Sequence, residues 1–349
     1  MRVLHVISSL GIGGAERLIS DMLPQMKTAG VDVSLLVYRR LHNDFEKKLE
    51  DAGVAIISLE AKSNYSPRII FSLANAMKGF DIIHVHLFPA LYQVAVANAF
   101  VHKILIYTEH NTTNRRRNRR LLRYIEKNIY SKYSHIVSVS DDVQENLMSW
   151  LNIQDHRFSV IRNGIDLTSF NGVRIKGDYP ITLLMISRFV PAKDQKTVIR
   201  AMQWIDKKAH VVFVGVGDTK KSCEELARKI GVAERCHFVG SQSDIYNYIS
   251  KADIGILSSH WEGLPISSLE MMAGGLPVIA SDVEGLRQVV DGAGVLFKEG
   301  DDHELADIIN KMIEDKEYYD SVASRCQKRA CTYDIGSTAS EYVRLYDVV

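Results

Sequence analysis

The sequence predicts an α/β protein built as two doubly wound parallel-sheet domains in tandem. Short apolar runs alternate with longer helical patterns along the 349 residues, the arrangement expected of βαβ units around a parallel sheet. The alternation occurs as two series, separated by an irregular stretch that holds Asn163-Gly164, Gly172, Gly177 and Pro180. The length suits about two domains at roughly 150 residues each.

In the first series, 2–7, 33–38, 54–59, 81–86, 104–108 and 135–139 read as strands, with 159–161 a further short run. Amphipathic helical patterns at 15–29 and 141–150 lie between strands. In the second series, strands are expected at 181–186, 210–214, 237–239, 254–257, 278–280 and 294–297. Helices are expected there at 194–204, 223–230, 266–272 and 303–314. The first domain therefore spans 1–165, the linker 166–177 and the second domain 178–332. Open α/β sheets bind ligands outside the carboxyl ends of their strands. Two such domains facing each other would line a cleft with strand-end residues from both.

A composition of 46% hydrophobic and 24% charged residues supplies two ordinary cores. The net charge is +1 but uneven: residues 1–165 hold 21 Lys/Arg against 15 Asp/Glu, net +6, and 166–349 hold 22 against 27, net −5. The basic half is the one suited to an anionic partner. Cys223, Cys236, Cys326 and Cys331 have no C-x-x-C spacing and read as reduced thiols in a cytosolic protein. The opening Met-Arg-Val-Leu-His-Val-Ile is too short for a signal peptide. No run of about 18 apolar residues is present to cross a membrane.

The strand ends carry the candidate chemistry. The first strand runs into Leu10-Gly11-Ile12-Gly13-Gly14-Ala15-Glu16. Its glycines would let backbone approach a ligand beside a helix start. It is not a dinucleotide fingerprint, because Glu16 stands where the third glycine belongs and the second strand ends in Tyr38-Arg39-Arg40, without a ribose-binding acid. His84 and His86 alternate along one strand, a pattern that could bind zinc, but no third ligand is near in sequence. His84 reads as packed or hydrogen-bonded, and His86 as a strand-end residue. His110 follows the strand 104–108 as a candidate contact to a reacting group. In the second half, Arg188 and Lys193 straddle a strand–loop–helix corner, where a rigid guanidinium and a mobile ammonium can converge on one anion.

The segment Trp261-Glu262-Gly263-Leu264-Pro265-Ile266-Ser267-Ser268-Leu269-Glu270 places Glu262 in a loop and Glu270 in the helix that follows. Pro265 is expected in the first helical turn. The free N–H groups near Ile266 to Ser268 would form an anion site, flanked by two carboxylates able to accept from hydroxyls. That suits a ligand with both a diphosphate and sugar hydroxyls. No Asp-x-Asp occurs; Arg188, Lys193 and the helix end are the expected substitutes for a divalent ion, so neither metal nor cofactor is expected. Arg116, Arg120, Arg123 and Lys127 share one face of a basic helix, with Leu121, Ile125 and Ile129 on another. That helix either packs as a solvated element or meets an anionic membrane or a lipid-phosphate acceptor.

Taken together, these residues resemble the family 4 glycosyltransferases of GT-B fold, which are retaining and use sugar nucleotides. The resemblance rests on Gly13-Gly14-Ala15-Glu16, His110, Arg188-x4-Lys193, Glu262-x7-Glu270 and Ala273-Gly274-Gly275-Leu276-Pro277, and spans nearly the whole chain. It implies that Arg188 and Lys193 hold the donor diphosphate and stabilise it as it leaves. Glu270 would bind the nucleotide ribose and Glu262 the donor sugar, with the amides of Leu264, Pro265's neighbours, Ile266, Ser267 and Ser268 on sugar or phosphate oxygens. Gly13 and Gly14 would let the first domain close on the diphosphate. His110 would line the sugar near its anomeric carbon, and Gly217, Val239 and Gly240 would hold the base. Residues 334–349 would pack back on the first, acceptor-side domain.

The implied activity is metal-independent hexosyl transfer from a nucleoside-diphosphate sugar, by default UDP-linked, with retention. The acceptor would be a glycan or a polyprenyl- or lipid-linked molecule, as in surface polysaccharide assembly. The implied location is cytoplasmic, peripheral on the inner face of the cell membrane, with no nucleic-acid partner. A GT-B sugar-nucleotide 2-epimerase and a non-catalytic nucleotide-sugar-binding module remain as alternatives.

Overall fold

The computed structural model describes residues 1–11, 13–110, 120–170, 181–242 and 244–349. The chain divides into two compact units, Met1–Gly164 with Ile335–Val349, and Ile165–Asp334.

The first unit runs β1 (Arg2–Ile7), α1 (Gly14–Thr28), β2 (Asp32–Val37), α2 (Asp44–Asp51), β3 (Ala55–Ser58), α3 (Arg68–Met77) and β4 (Ile82–His86). It continues with α4 (Ala90–Ala97), β5 (Ile104–Glu109), α5 (Arg120–Tyr130), β6 (His135–Ser138), α6 (Asp141–Leu151) and β7 (Phe158–Val160). Its seven-stranded sheet has the order β3-β2-β1-β4-β5-β6-β7, parallel throughout. Because both faces of a parallel sheet are covered, β1 is buried from Val3 to Ile7 without alternation. Helix α1 turns Leu18, Ile19, Met22, Leu23 and Met26 inward.

The second unit runs β8 (Thr182–Ile186), α7 (Gln195–Ala201), β9 (His210–Val214), α8 (Lys220–Lys229), β10 (Cys236–Gly240), α9 (Tyr246–Lys251) and β11 (Ile254–Leu257). Then follow α10 (Ile266–Ala273), β12 (Val278–Ser281), α11 (Leu286–Val290), β13 (Val295–Phe297), α12 (Asp302–Glu314) and α13 (Lys316–Ala330). The six strands are also parallel, in the order β10-β9-β8-β11-β12-β13. The last helix, α14 (Ile335–Val348), returns to the first unit, where it packs on α1 and buries Ile335, Ala339, Tyr342 and Tyr346.

The two doubly wound sheets agree with the fold class expected from sequence, and each of the thirteen described strands ends within one residue of an expected run. The helices agree less well, since α2, α3, α4, α9, α11 and α13 form where none was expected. In α4 the sequence ALYQVAVA is apolar at every position but Tyr92 and Gln93 and gives no clear period to read. Helix α13 is the reverse, mostly polar, but Asp315 caps it by accepting from the Tyr318 N–H at 2.9 Å.

Strand order reverses between β1 and β4 in the first unit and between β8 and β11 in the second. Loops leaving neighbouring strands at such a point diverge and open a crevice at the carboxyl ends.

Candidate functional site

In the second unit the loops after β8 and β11 are stitched together. The Ser258 hydroxyl donates to the Asp194 carbonyl at 2.8 Å, and the His260 N–H donates to the Ala192 carbonyl at 2.8 Å. The Gln195 amide donates to the Arg188 carbonyl at 2.9 Å. These bonds seat the short 3-10 turn Pro191–Lys193 opposite Glu262. The Lys193 ammonium donates to Glu262 Oε1, and the Ser259 hydroxyl reaches the same oxygen at 2.7 Å. Glu262 is buried, so its charge is matched by an adjacent cation and hydroxyl, the condition for keeping a carboxylate out of water.

Arg188 lies on the same loop but is exposed, and no bond to its side chain is found among the described residues. Arg188 and Lys193 thus do not share one partner here: the lysine is held by Glu262 and the guanidinium is open to solvent.

Helix α10 begins at Ile266, and Pro265 precedes it in an extended conformation, φ −78° and ψ 96°. Pro265 is therefore the capping residue and not part of the first turn as expected. It offers no side chain to the helix's free N–H groups. Leu264 and Ile266 are buried. Ser268 is also buried, and its hydroxyl and its backbone N–H both donate to the Pro265 carbonyl, at 2.7 Å and 3.1 Å, so neither donor is free for a ligand, contrary to expectation. Ser267 is half-buried, and Glu270 is buried inside the helix.

Two glycines bear on this site through backbone crowding. Gly217, with φ +151°, has the Phe189 carbonyl where a side chain would begin, so packing against the Arg188-Phe189 strand end explains the glycine. Gly240, with φ +77°, faces open space beside half-buried Val239. Gly285, which sequence reading did not single out, has φ +80°, and a Cβ there would lie 2.5 Å from the Glu262 carbonyl and 2.6 Å from that of Gly263. The turn after β12 thus presses on the backbone that carries Glu262. Only the glycine in Ser281-Asp282-Val283-Glu284-Gly285 hinted at this, as a turn signal after a strand.

In the first unit, Gly13 caps α1 in extended conformation and Gly14 is its first residue. The Glu16 carboxylate occupies the space beside Gly13. Strands β1, β4 and β5 bring four histidines together. His86 Nδ1 lies 3.2 Å from His110 Nε2, and His86 Nε2 lies 3.0 Å from His5 Nδ1. His84 contacts the Tyr346 hydroxyl at 2.6 Å and the Thr108 hydroxyl at 2.7 Å. Burial lowers the pKa of all four imidazoles: His5 to about 3, His110 to about 4, and His84 and His86 well below the usual value, the last two helped by neighbouring histidines.

The third imidazole that the sequence lacked beside His84 and His86 is His5, from the next strand. Their nitrogens lie within 4.8 Å of one another. The rings stack, with centroids of His84 and His86 4.4 Å apart, and the nitrogens are spent on hydrogen bonds.

Helix α5 corrects the expected apolar stripe. Ile125 is exposed, while Glu126 and Tyr130 are buried. The Glu126 carboxylate accepts from Tyr92 at 2.9 Å and Trp150 at 2.7 Å, and Tyr130 donates to Glu109 at 2.9 Å. Ile129 packs against the core as expected, while the polar anchors Glu126 and Tyr130 leave Ile125 facing solvent. Lys127 is exposed and Arg123 half-buried; Arg116 and the side chains of Arg120 and Leu121 lie outside the described residues. All four cysteines are free, with Cys331 alone exposed.

Comparison with known proteins matches both halves of the chain. Residues 12–169 match the family described as Glycosyltransferase Family 4, and residues 169–329 match Glycosyl transferases group 1. An N-acetylgalactosaminyltransferase of Campylobacter jejuni, named for N,N'-diacetylbacillosaminyl-diphospho-undecaprenol, is 28% identical over 66% of this chain and 65% of its own, just under two thirds of its length. The UDP-Gal:α-D-GlcNAc-diphosphoundecaprenol α-1,3-galactosyltransferase of Escherichia coli is 25% identical over 68% of this chain and 67% of its own. Among solved structures, HepE of Anabaena in complex with UDP and glucose superposes over 100% of both chains with a TM-score of 0.89 at 20% identity.

Proposed function

The chain belongs to glycosyltransferase family 4 and has the GT-B fold, and from that premise we propose that it transfers a hexosyl group from a UDP-sugar to a lipid-linked acceptor, with retention and without a bound divalent cation. One observation carries the reading: Lys193 and Glu262, on loops from either side of the β8/β11 reversal, meet beside the uncapped start of α10. A cation and free helical N–H groups suit a diphosphate; the carboxylate suits sugar hydroxyls.

Sugar transfer passes through an oxocarbenium-like state as negative charge collects on the leaving group. The Lys193 ammonium and the exposed Arg188 guanidinium offset that charge, each as a cation that needs no metal. Glu270, buried in α10, takes the ribose hydroxyls, and Glu262 the hydroxyls of the donor sugar. With no carboxylate assigned as a nucleophile, retention follows from attack on the face the diphosphate leaves, with a leaving-group oxygen accepting the acceptor's proton.

The uridine assignment draws support from HepE, solved with UDP and glucose, and from the E. coli relative, named for UDP-Gal. The lipid-linked acceptor draws on the undecaprenol substrates in both relatives' names. Among the described residues no helix is long and apolar enough to cross a membrane. We place the protein at a membrane surface through the first unit, which exposes Tyr124 and Ile125 beside Lys127, and the Phe71–Phe100 pair.

The test is turnover of UDP-sugars on an undecaprenyl-diphosphate-linked acceptor, before and after chelator treatment, with product anomers resolved. Arg188→Ala and Lys193→Ala should each lower kcat by about 100-fold or more, the scale of losing one charge-stabilising group, with the fold kept. Near-normal turnover in both, or activity lost to chelator and restored only by magnesium or manganese, overturns the mechanism.

A further inference from the structure

We propose that the C-terminal helix α14 sets the direction of a hydrogen-bonded chain of histidines, so that His110 presents an N–H at Nδ1, and that Tyr346 and Tyr342 are positioning residues for the sugar end of the reaction. The assignment of His110 to the sugar rests on the function proposed above. The chain itself rests on geometry within the first unit.

Seven groups are linked in line. From one end, His110 Nε2 meets His86 Nδ1 at 3.2 Å, and His86 Nε2 meets His5 Nδ1 at 3.0 Å. His5 Nε2 meets the Tyr346 hydroxyl at 3.2 Å, and that hydroxyl meets His84 Nδ1 at 2.6 Å. His84 Nε2 meets the Thr108 hydroxyl at 2.7 Å, which meets the Tyr342 hydroxyl at 3.1 Å. His5, His84, His86, Thr108 and Tyr342 are completely buried.

A neutral imidazole has one donor and one acceptor nitrogen, and a hydroxyl donates once. Fixing the proton on His110 therefore fixes His86 and His5, and because each interior hydroxyl can also accept from both neighbours, four arrangements satisfy every link. In the first, donation runs from Tyr342 through Thr108, His84, Tyr346, His5 and His86 to His110 Nε2. The His110 proton then sits on Nδ1, an atom that is buried and has no partner among the described residues.

In the other three the proton of His110 sits on Nε2, and one hydroxyl, that of Tyr346, Thr108 or Tyr342, is left with no acceptor among the described residues while His110 Nδ1 becomes an unmet acceptor. One unmet donor costs less than an unmet donor and an unmet acceptor together. The first arrangement wins, and its single unmet N–H is the one that an oxygen of the bound sugar would satisfy. Burial holds the rings neutral, so the chain transmits a tautomer and not a charge.

The test reads the tautomer directly, by long-range 1H–15N correlation of ligand-free protein labelled with 15N-histidine. His110 should show a pyrrole-like Nδ1 and a pyridine-like Nε2. Tyr346→Phe cuts the chain between His84 and His5, so the two His110 nitrogens should move toward an averaged pair. Thr108→Val, beyond His84, should do the same, and Thr108→Ser should restore the parent spectrum; either variant suffices if the other does not fold. In transfer assays Tyr346→Phe should lower kcat several-fold with KM nearly unchanged. A proton on His110 Nε2 in the parent protein overturns the proposal, as does an unchanged His110 pair in folded Tyr346→Phe and Thr108→Val. Stoichiometric zinc that shifts His5, His84 and His86 together also overturns it, because metal bonds would replace the N–H···N links. Normal transfer by His110→Ala with the parent tautomer intact overturns the sugar assignment and leaves the chain standing.

Discussion

Lys193 and Glu262, the pair on which the proposed donor site rests, each answer the other's charge. A buried carboxylate with a cation and a hydroxyl on one oxygen is neutralised without water. A diphosphate entering that site competes with Glu262 for the ammonium. Glu262→Gln removes the competitor and leaves Lys193 with an uncompensated charge, so the ligand-free protein should melt lower and UDP should raise its melting temperature more than in the parent, by mass action. Transfer should still fall, since the sugar loses a carboxylate contact. An equal or smaller UDP shift in the variant would show that Lys193 is not a phosphate ligand. The histidines of the first unit give a pH signature. His5, His84 and His86 stay neutral when folded but bind protons below about pH 6.5 once unfolded. Their folded values are depressed, so stability is full above pH 6.5 and declines as pH falls toward the folded values, near 3 for His5. The slope is about 1.4 kcal/mol per pH unit for each fully buried histidine. Thermal melts between pH 7 and pH 5 should show this loss, and replacing His5 with Asn should flatten the curve; a melting temperature constant over that range contradicts neutral burial.

At the scale of elements, the strands were readable and several helices were not, for a physical reason. A strand buried on both faces is a continuous apolar run between turn residues, visible without knowing its neighbours. Helix α4, apolar but for Tyr92 and Gln93, also carries no clear period, while α13 announces itself only through its Asp315 cap. Linear motifs marked the loops that end β8 and β11, but the pairing of Lys193 with Glu262 crosses 69 residues, and the meeting of His5 with His86 crosses 81. Both follow from strand order, which periodicity does not encode. Gly285 went unread for the same cause: its need for glycine comes from carbonyls on a loop that precedes it by more than twenty residues. Gly285→Ala should therefore be harmful twice, through positive φ at about 1 kcal/mol and through collision with the Glu262 and Gly263 carbonyls. The expected result is a lowered melting temperature and a raised KM for donor, because the loop must shift. Gly231, with similar φ +76° but open space around it, is the control: Gly231→Ala should cost stability alone. Equal KM values in the two variants would refute the role given to Gly285.

For the whole molecule, the uneven charge bears on the proposed membrane docking. The first 165 residues carry net +6 and the remainder net −5, so the electrostatic pull of an anionic surface falls on the first unit. The exposed Tyr124, at 75% exposure, and Ile125, at 51%, belong to the helix that carries Lys127. Buried polar anchors, Glu126 and Tyr130, leave these apolar groups facing water. Aromatic and aliphatic groups beside cations suit the headgroup region of a bilayer, where each basic residue near the surface adds about 1 kcal/mol. Vesicles containing phosphatidylglycerol should therefore cosediment with the protein, and neutral phosphatidylcholine vesicles should not. Raising salt to about 0.5 M, where the screening length drops to a few ångströms, should release most of the bound protein. Tyr124→Ser with Ile125→Ser should weaken binding at low salt while leaving turnover of a soluble, short-chain acceptor unchanged, because neither residue is assigned to the donor site. Equal binding to neutral and anionic vesicles, or an unaltered double variant, would overturn the proposed membrane docking.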